Sequence, residues 1–108
     1  MKREIFKISD SNKPVIEPVI QDENLHFMHM VLLEGESLRT HYTNANVYMT
    51  VVKGTLSISL DESDFEKHDK NTVLKIPFNV KMDVQNHDSD ILELFVVKAP
   101  APGKFYTK

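Results

Sequence analysis

Cysteine is absent from the 108-residue chain, which excludes disulfides and thiolate metal sites and is consistent with a reducing compartment. Long apolar runs are absent too. The N-terminal stretch MKREIFKISD lacks the apolar core a signal peptide needs, and no run approaches the roughly 18 residues of a membrane-spanning helix. Nor is there an excess of positive charge. Thirteen basic residues against 16 acidic ones give a net charge of -3, without the electrostatic footprint of a nucleic-acid binder. With no internal repeat and no sign of a second domain, the expectation is one compact cytoplasmic domain. A chain of this size buries roughly two thirds of its unfolded surface, so dimerisation is expected to add stability.

What is present reads as β structure. Residues 47–60, VYMTVVKGTLSISL, alternate in period two, with Val47, Met49 and Val51 on one face and Leu56, Ile58 and Leu60 continuing beyond Gly54. Gly54 is expected at a turn or bulge where a side chain would obstruct. Residues 25–33, LHFMHMVLL, and 90–97, DILELFVV, are apolar runs of strand length. The polar segment 61–70, DESDFEKHDK, is expected to be a hairpin end or solvated loop. Pro14 and Pro18 mark residues 1–23 as an extended segment, either an edge strand or an arm reaching a second copy. A barrel over residues 24–98 and a loosely attached tail over 99–108, docked by Phe105 and Tyr106, complete the expected organisation. Short strands with regular breaks give an all-β sandwich or barrel.

Two stretches carry marker spacing. The first runs from Gly35 to Gly54, GESLRTHYTNANVYMTVVKG; the second, sixteen residues later, runs from Asn71 to Asn86, NTVLKIPFNVKMDVQN. They resemble the two motifs of the cupin superfamily, G-x5-H-x-H-x3-E-x6-G and G-x5-P-x-G-x2-H-x3-N, without a gap. Gly35, His41, Gly54, Pro77 and Asn86 match five of the ten marker positions. Thr43 stands where the second His belongs, Val47 where the Glu belongs and Met82 where the last His belongs, while Asn71 and Asn79 replace two glycines. The resemblance implies a small double-stranded β-helix, that is, a jelly-roll barrel.

It also implies a metal site whose donors are broken. One imidazole, His41, remains of four ligands; Val47 has no lone pair, Thr43 is a neutral hydroxyl, and the thioether of Met82 is a poor donor to Zn, Fe(II) or Mn(II). No metal is therefore expected, and His41 would be a ligand if one were held. His26 or His29 could supplement it, but three residues apart on a strand they face opposite sides. A softer alternative is Cu(I) held by His41 with thioethers of Met28, Met30, Met49 and Met82; the competing account is that methionine fills irregular cores.

Side chains two apart share a strand face, so His41 points with Thr43, Val47 with Met49 and Met82 with Val84; the resemblance implies that these faces turn to the barrel interior, which makes His41, Thr43, Val47, Met49 and Met82 the expected pocket residues. The chemistry suits a small apolar or amphipathic molecule oriented by His41 and Thr43. Metal-free cupin-like epimerases pair a pocket His with a carboxylate, and Asp83 is expected to face away, so no catalytic residue is assigned. Two alternatives stay open: a metal-dependent isomerase or dioxygenase with a non-standard ligand set, and a filled barrel acting through its surface. The expected partners are a small-molecule ligand and a second copy of the chain, with no nucleic acid and no membrane.

Overall fold

The computed structural model describes residues 2–103, so Phe105 and Tyr106 lie outside the described residues. Nine strands, and no helix, make up the described chain: β1 Val15–Gln21, β2 His26–Leu33, β3 His41–Tyr42, β4 Val47–Lys53, β5 Thr55–Leu60, β6 Glu66–Asp69, β7 Val73–Ile76, β8 Lys81–Gln85 and β9 Ile91–Lys98. They form a five-stranded sheet in the order β1-β2-β9-β4-β7 and a four-stranded sheet in the order β3-β8-β5-β6, with every pairing antiparallel. β1 occupies an edge of the larger sheet.

The period-two pattern decides which side chains meet between the sheets. Val47, Met49 and Val51 of β4 are fully buried against Leu92, Leu94 and Val96 of β9. Ile76 of β7 joins them from the same sheet, and Leu56 and Ile58 of β5 and Val84 of β8 close the core from the other side. Full burial of such a side chain contributes on the order of 1.5–3 kcal/mol, so this layer supplies most of the drive to fold.

Segment 61–70 differs from its expected loop character in part: residues 66–69 form β6, paired with Thr55–Ile58 of β5. Its composition is that of an edge strand. Charged side chains on an outer strand discourage pairing with other chains, and here His68 is the half-buried exception among exposed neighbours.

Gly54 is the corner at which the chain leaves the larger sheet, as β4, and enters the smaller, as β5. Its φ is +81°, and a Cβ there would lie 2.3 Å from the carbonyl oxygen of Ile91. Gly35 has a similar φ of +84° but open space where a Cβ would go. The two positions at which asparagine replaces a marker glycine have the same backbone: φ is 73° at Asn71 and 67° at Asn79. Asparagine tolerates the left-handed region better than other non-glycine residues, so the turns survive the replacement. Gly35→Ala should therefore cost the left-handed penalty alone, roughly 1–2 kcal/mol, which lowers the thermal midpoint by about 4–15 °C for a domain of this size. Gly54→Ala should lower it much further or prevent folding, because the Ile91 carbonyl must move. Equal midpoints for the two variants would contradict the corner geometry.

Candidate functional site

At one end of the two sheets lies a cavity of about 280 Å³. Met28 and Met30 of β2, Met49 of β4 and Met82 of β8 all line it, and these are all the methionines apart from Met1. Ile16 of β1, Leu38 and Val96 complete the apolar wall. Ile16 is 56% exposed, so the cavity opens to solvent beside the edge strand.

Three basic side chains share the same space: Arg39 from the β2–β3 connection, His41 from β3 and Lys98 from the end of β9. His41 lies directly across from Met82. Its Nδ1 donates to the Arg39 carbonyl at 2.8 Å, which leaves Nε2 as the ring nitrogen available to a ligand. Lys98 follows Leu92, Leu94 and Val96 on the inward face of β9, and burial lowers the pKa of its amine below the ordinary lysine value. Among the described residues, neither Lys98 nor Arg39 has a carboxylate within ion-pair distance.

Of the five pocket residues expected from sequence, His41, Met49 and Met82 line the cavity. Thr43 and Val47 do not. Thr43 is buried and its hydroxyl is fully engaged, donating to the Pro77 carbonyl at 2.7 Å and accepting from the Val80 amide at 2.9 Å. It fastens the β7–β8 turn, which its backbone also joins through Val80 and Asn79. Val47 is packed in the core beside Ile76.

The imidazoles considered as supplements to His41 lie elsewhere. His26 is absent from the cavity wall, and His29 faces the outer side of the larger sheet. There His29 is fully buried; its Nε2 is 2.7 Å from Oε2 of Glu93, and its Nδ1 is 3.6 Å from Oε2 of Glu17. Glu17 in turn accepts the Ser9 amide at 3.0 Å, so this chain of contacts ties the N-terminal segment to β9. Hydrogen bonding from Ser9 holds the Glu17 carboxyl below its ordinary pKa.

The residue types present do not fit the family's metal. Among the described residues, no three His, Cys, Asp or Glu side chains come together as a cation site. At the motif positions, the thioether and imidazole that reach the cavity leave a borderline or hard divalent ion without enough nitrogen and oxygen donors.

Larger depressions lie on the surface outside the barrel. A groove of about 430 Å³ follows the β1 edge past Pro14, Val15 and Glu36. A cleft of about 390 Å³ on the outer face of the smaller sheet holds Lys81, but Glu62 already pairs with that lysine at 3.1 Å.

Known proteins resemble this architecture closely. The protein MJ0764 of Methanocaldococcus jannaschii is 39% identical over 95 residues, 88% of this chain and 82% of that one. Its crystal structure, described as an RmlC-like cupin family protein with a double-stranded β-helix fold, superposes with a TM-score of 0.95 at 35% identity, over 99% of both chains. The chain belongs to the RmlC-like cupin family. TT1209 of Thermus thermophilus shares the fold at a TM-score of 0.75 and 22% identity, covering 87% of this chain and 91% of that one. A cupin superfamily protein of Desulfitobacterium hafniense does so at 0.72 and 12%, covering 86% and 83%. No protein-family profile matches the chain. Among the described residues, no helix is long and apolar enough to cross a membrane.

This cupin retains its markers where they hold the backbone. Asn86 is fully buried, and its side-chain amide donates to the carbonyls of Leu32 and Ser89, both at 2.9 Å, while its side-chain oxygen accepts the Ser89 amide. Thr43→Val keeps the side-chain volume and strands the Pro77 carbonyl and Val80 amide. It should destabilise by about 1–3 kcal/mol while leaving occupancy of the cavity by small molecules unchanged. A variant of normal stability with a lost ligand response would reverse that assignment.

Proposed function

We propose that this cupin binds a small molecule in the barrel cavity without using a metal ion. The observation that carries the reading is the open cavity walled by Met28, Met30, Met49 and Met82, at the place where a filled barrel would have no space. At about 280 Å³ it falls just below the usual span of ligand pockets, roughly 300–1,000 Å³, which restricts it to a small ligand. Thioethers on flexible stems adapt to a ligand's shape better than branched side chains do.

The competing readings fare worse for physical reasons. An isomerase or dioxygenase of the metal-dependent kind needs donors that positions 43, 47 and 82 do not supply. General acid–base chemistry of the metal-free kind needs a carboxylate beside His41, and no acid lines the cavity. Cu(I) would find thioethers and one imidazole together, as its softness prefers, but Arg39 and Lys98 face the same space and repel a cation.

Protein prepared without chelator or metal-carrying tag should contain well under one equivalent of any transition metal. In methionine-methyl NMR, a mixture of small fragments should shift the signals of Met28, Met30, Met49 and Met82 equally before and after chelator treatment. A full equivalent of metal that is lost in His41→Ala would overturn the proposal.

The same reading includes a homodimer. Residues 2–13 present Ile5, Phe6 and Ile8 to solvent, 76%, 45% and 42% exposed, on a segment held to the larger sheet by the Ser9–Glu17 contact. Exposed large apolar side chains in a row mark a surface that another chain covers. Sedimentation should give a dimer whose dissociation is promoted by the double substitution Phe6→Asp and Ile8→Asp. A monomer at micromolar concentration would count decisively against this assembly.

A further inference from the structure

We infer that the ligand of the cavity is a small anion, its charged head group held by Arg39, His41 and Lys98 and its apolar body laid against the four methionines. The inference rests on the reading of the cavity as a small-molecule site and adds the class of molecule. It starts from a charge asymmetry. Asp and Glu outnumber Lys and Arg 16 to 13 in the chain, yet none of the ten residues lining the cavity is acidic, two are Arg39 and Lys98, and His41 adds an imidazole that can take up a proton.

Of the three, Lys98 is placed in a way that packing alone does not explain. Lys98 holds the next inward position of β9 after Val96, with Val47 and His26 as its cross-strand neighbours. Packing favours an apolar residue there. A half-buried amine without a counter-charge is unfavourable, and an anion in the cavity would relieve it. Loss of hydration lowers the pKa of that amine, and an anion beside it would raise it again by favouring the charged form. Two lysines elsewhere have carboxylate partners, Lys67 with Asp88 at 2.8 Å and Lys81 with Glu62 at 3.1 Å, and the other described lysines are exposed to water, unlike the half-buried Lys98.

Arg39 stands at the exposed rim without a carboxylate partner among the described residues, and its planar guanidinium fork matches a carboxylate or phosphate through two parallel hydrogen bonds. His41 has its Nδ1 proton fixed on the Arg39 carbonyl, so the imidazole is oriented before any ligand arrives. When protonated, its Nε2 donates to the same anion. The head group therefore meets donors from the β2–β3 connection, β3 and β9, while the tail meets Met49 and Met82, both at most 4% exposed.

Methionine-methyl NMR titrations with probes of one chain length and different heads test this: hexanoate, hexyl phosphate, hexanol, hexanamide and hexylamine. Hexanoate should shift the four methionine signals and bind about tenfold or more tightly than hexanol or hexanamide, as expected for hydrogen bonds to a charged group. Hexylamine should not bind. Arg39→Gln and Lys98→Met should each weaken hexanoate by about tenfold and leave hexanol unchanged.

Lys98→Met should also raise the thermal midpoint of the unliganded protein, because it removes an unpaired half-buried amine. A role confined to structure predicts the opposite. Tighter binding of hexyl phosphate than of hexanoate would support the anion class and assign the head group to phosphate. Hexanol or hexylamine binding at the same methionines as tightly as hexanoate would overturn the anion inference and leave the cavity reading standing. Failure of every probe to shift the methionines would overturn both. A lower midpoint for Lys98→Met with unchanged hexanoate affinity would overturn the role of Lys98.

Discussion

The buried amide of Asn86 is the contact on which the frame of this barrel depends. Its side chain joins the end of β2, through Leu32, to the turn before β9, through Ser89. Its backbone adds the Gly35 amide at 2.8 Å and the Glu36 carbonyl at 2.9 Å. One residue thus satisfies polar groups from three separate places, and the Leu32 carbonyl among them is buried, so that stranding it costs about 1–3 kcal/mol. The start of the first motif is held by the end of the second. Positioning of the β2–β3 connection, and of Arg39 and His41 beyond it, follows from that junction.

This explains why the fold was legible in a chain that has lost its metal donors. Gly35, Gly54, Pro77 and Asn86 are recognisable because they answer to backbone requirements, and those requirements persist whatever the barrel binds. Asn71 and Asn79 look like departures from the motif, but both sit at positive φ, so the constraint remained and only the residue meeting it changed. Alternation placed Val47, Met49, Val51, Leu56 and Ile58 in the core for an equally simple reason: two sheets packed face to face bury every second residue. β6 was harder to see because an exposed edge strand of charged residues has the composition of a loop.

The candidate site was less legible, and its residues show why. Motif spacing points to positions that hold metal in related barrels, which picks out His41 and Met82 but also Thr43 and Val47, now occupied with a turn and with the core. It passes over Lys98, although period two from Leu92 through Leu94 and Val96 leads directly to it. Arg39 carries no strand signal at all, since it reaches the cavity from a connection whose course is fixed by Asn86. Pattern along one strand finds residues that the pattern itself places; side chains brought in from a loop become visible only when the long-range contacts are known.

The Gly54 corner has a mechanical consequence for the cavity. Met49 lies on β4 and Met82 on β8, in different sheets, and β8 is hydrogen-bonded to β5, which begins one residue after β4 ends. A single-residue connection leaves no slack between those walls. The width of the cavity between Met49 and Met82 is accordingly set by the covalent chain, and the methionine stems supply what compliance there is. A ligand of the proposed kind would be limited in thickness at the floor of the cavity, as by a fixed gauge, before any adjustment at the rim.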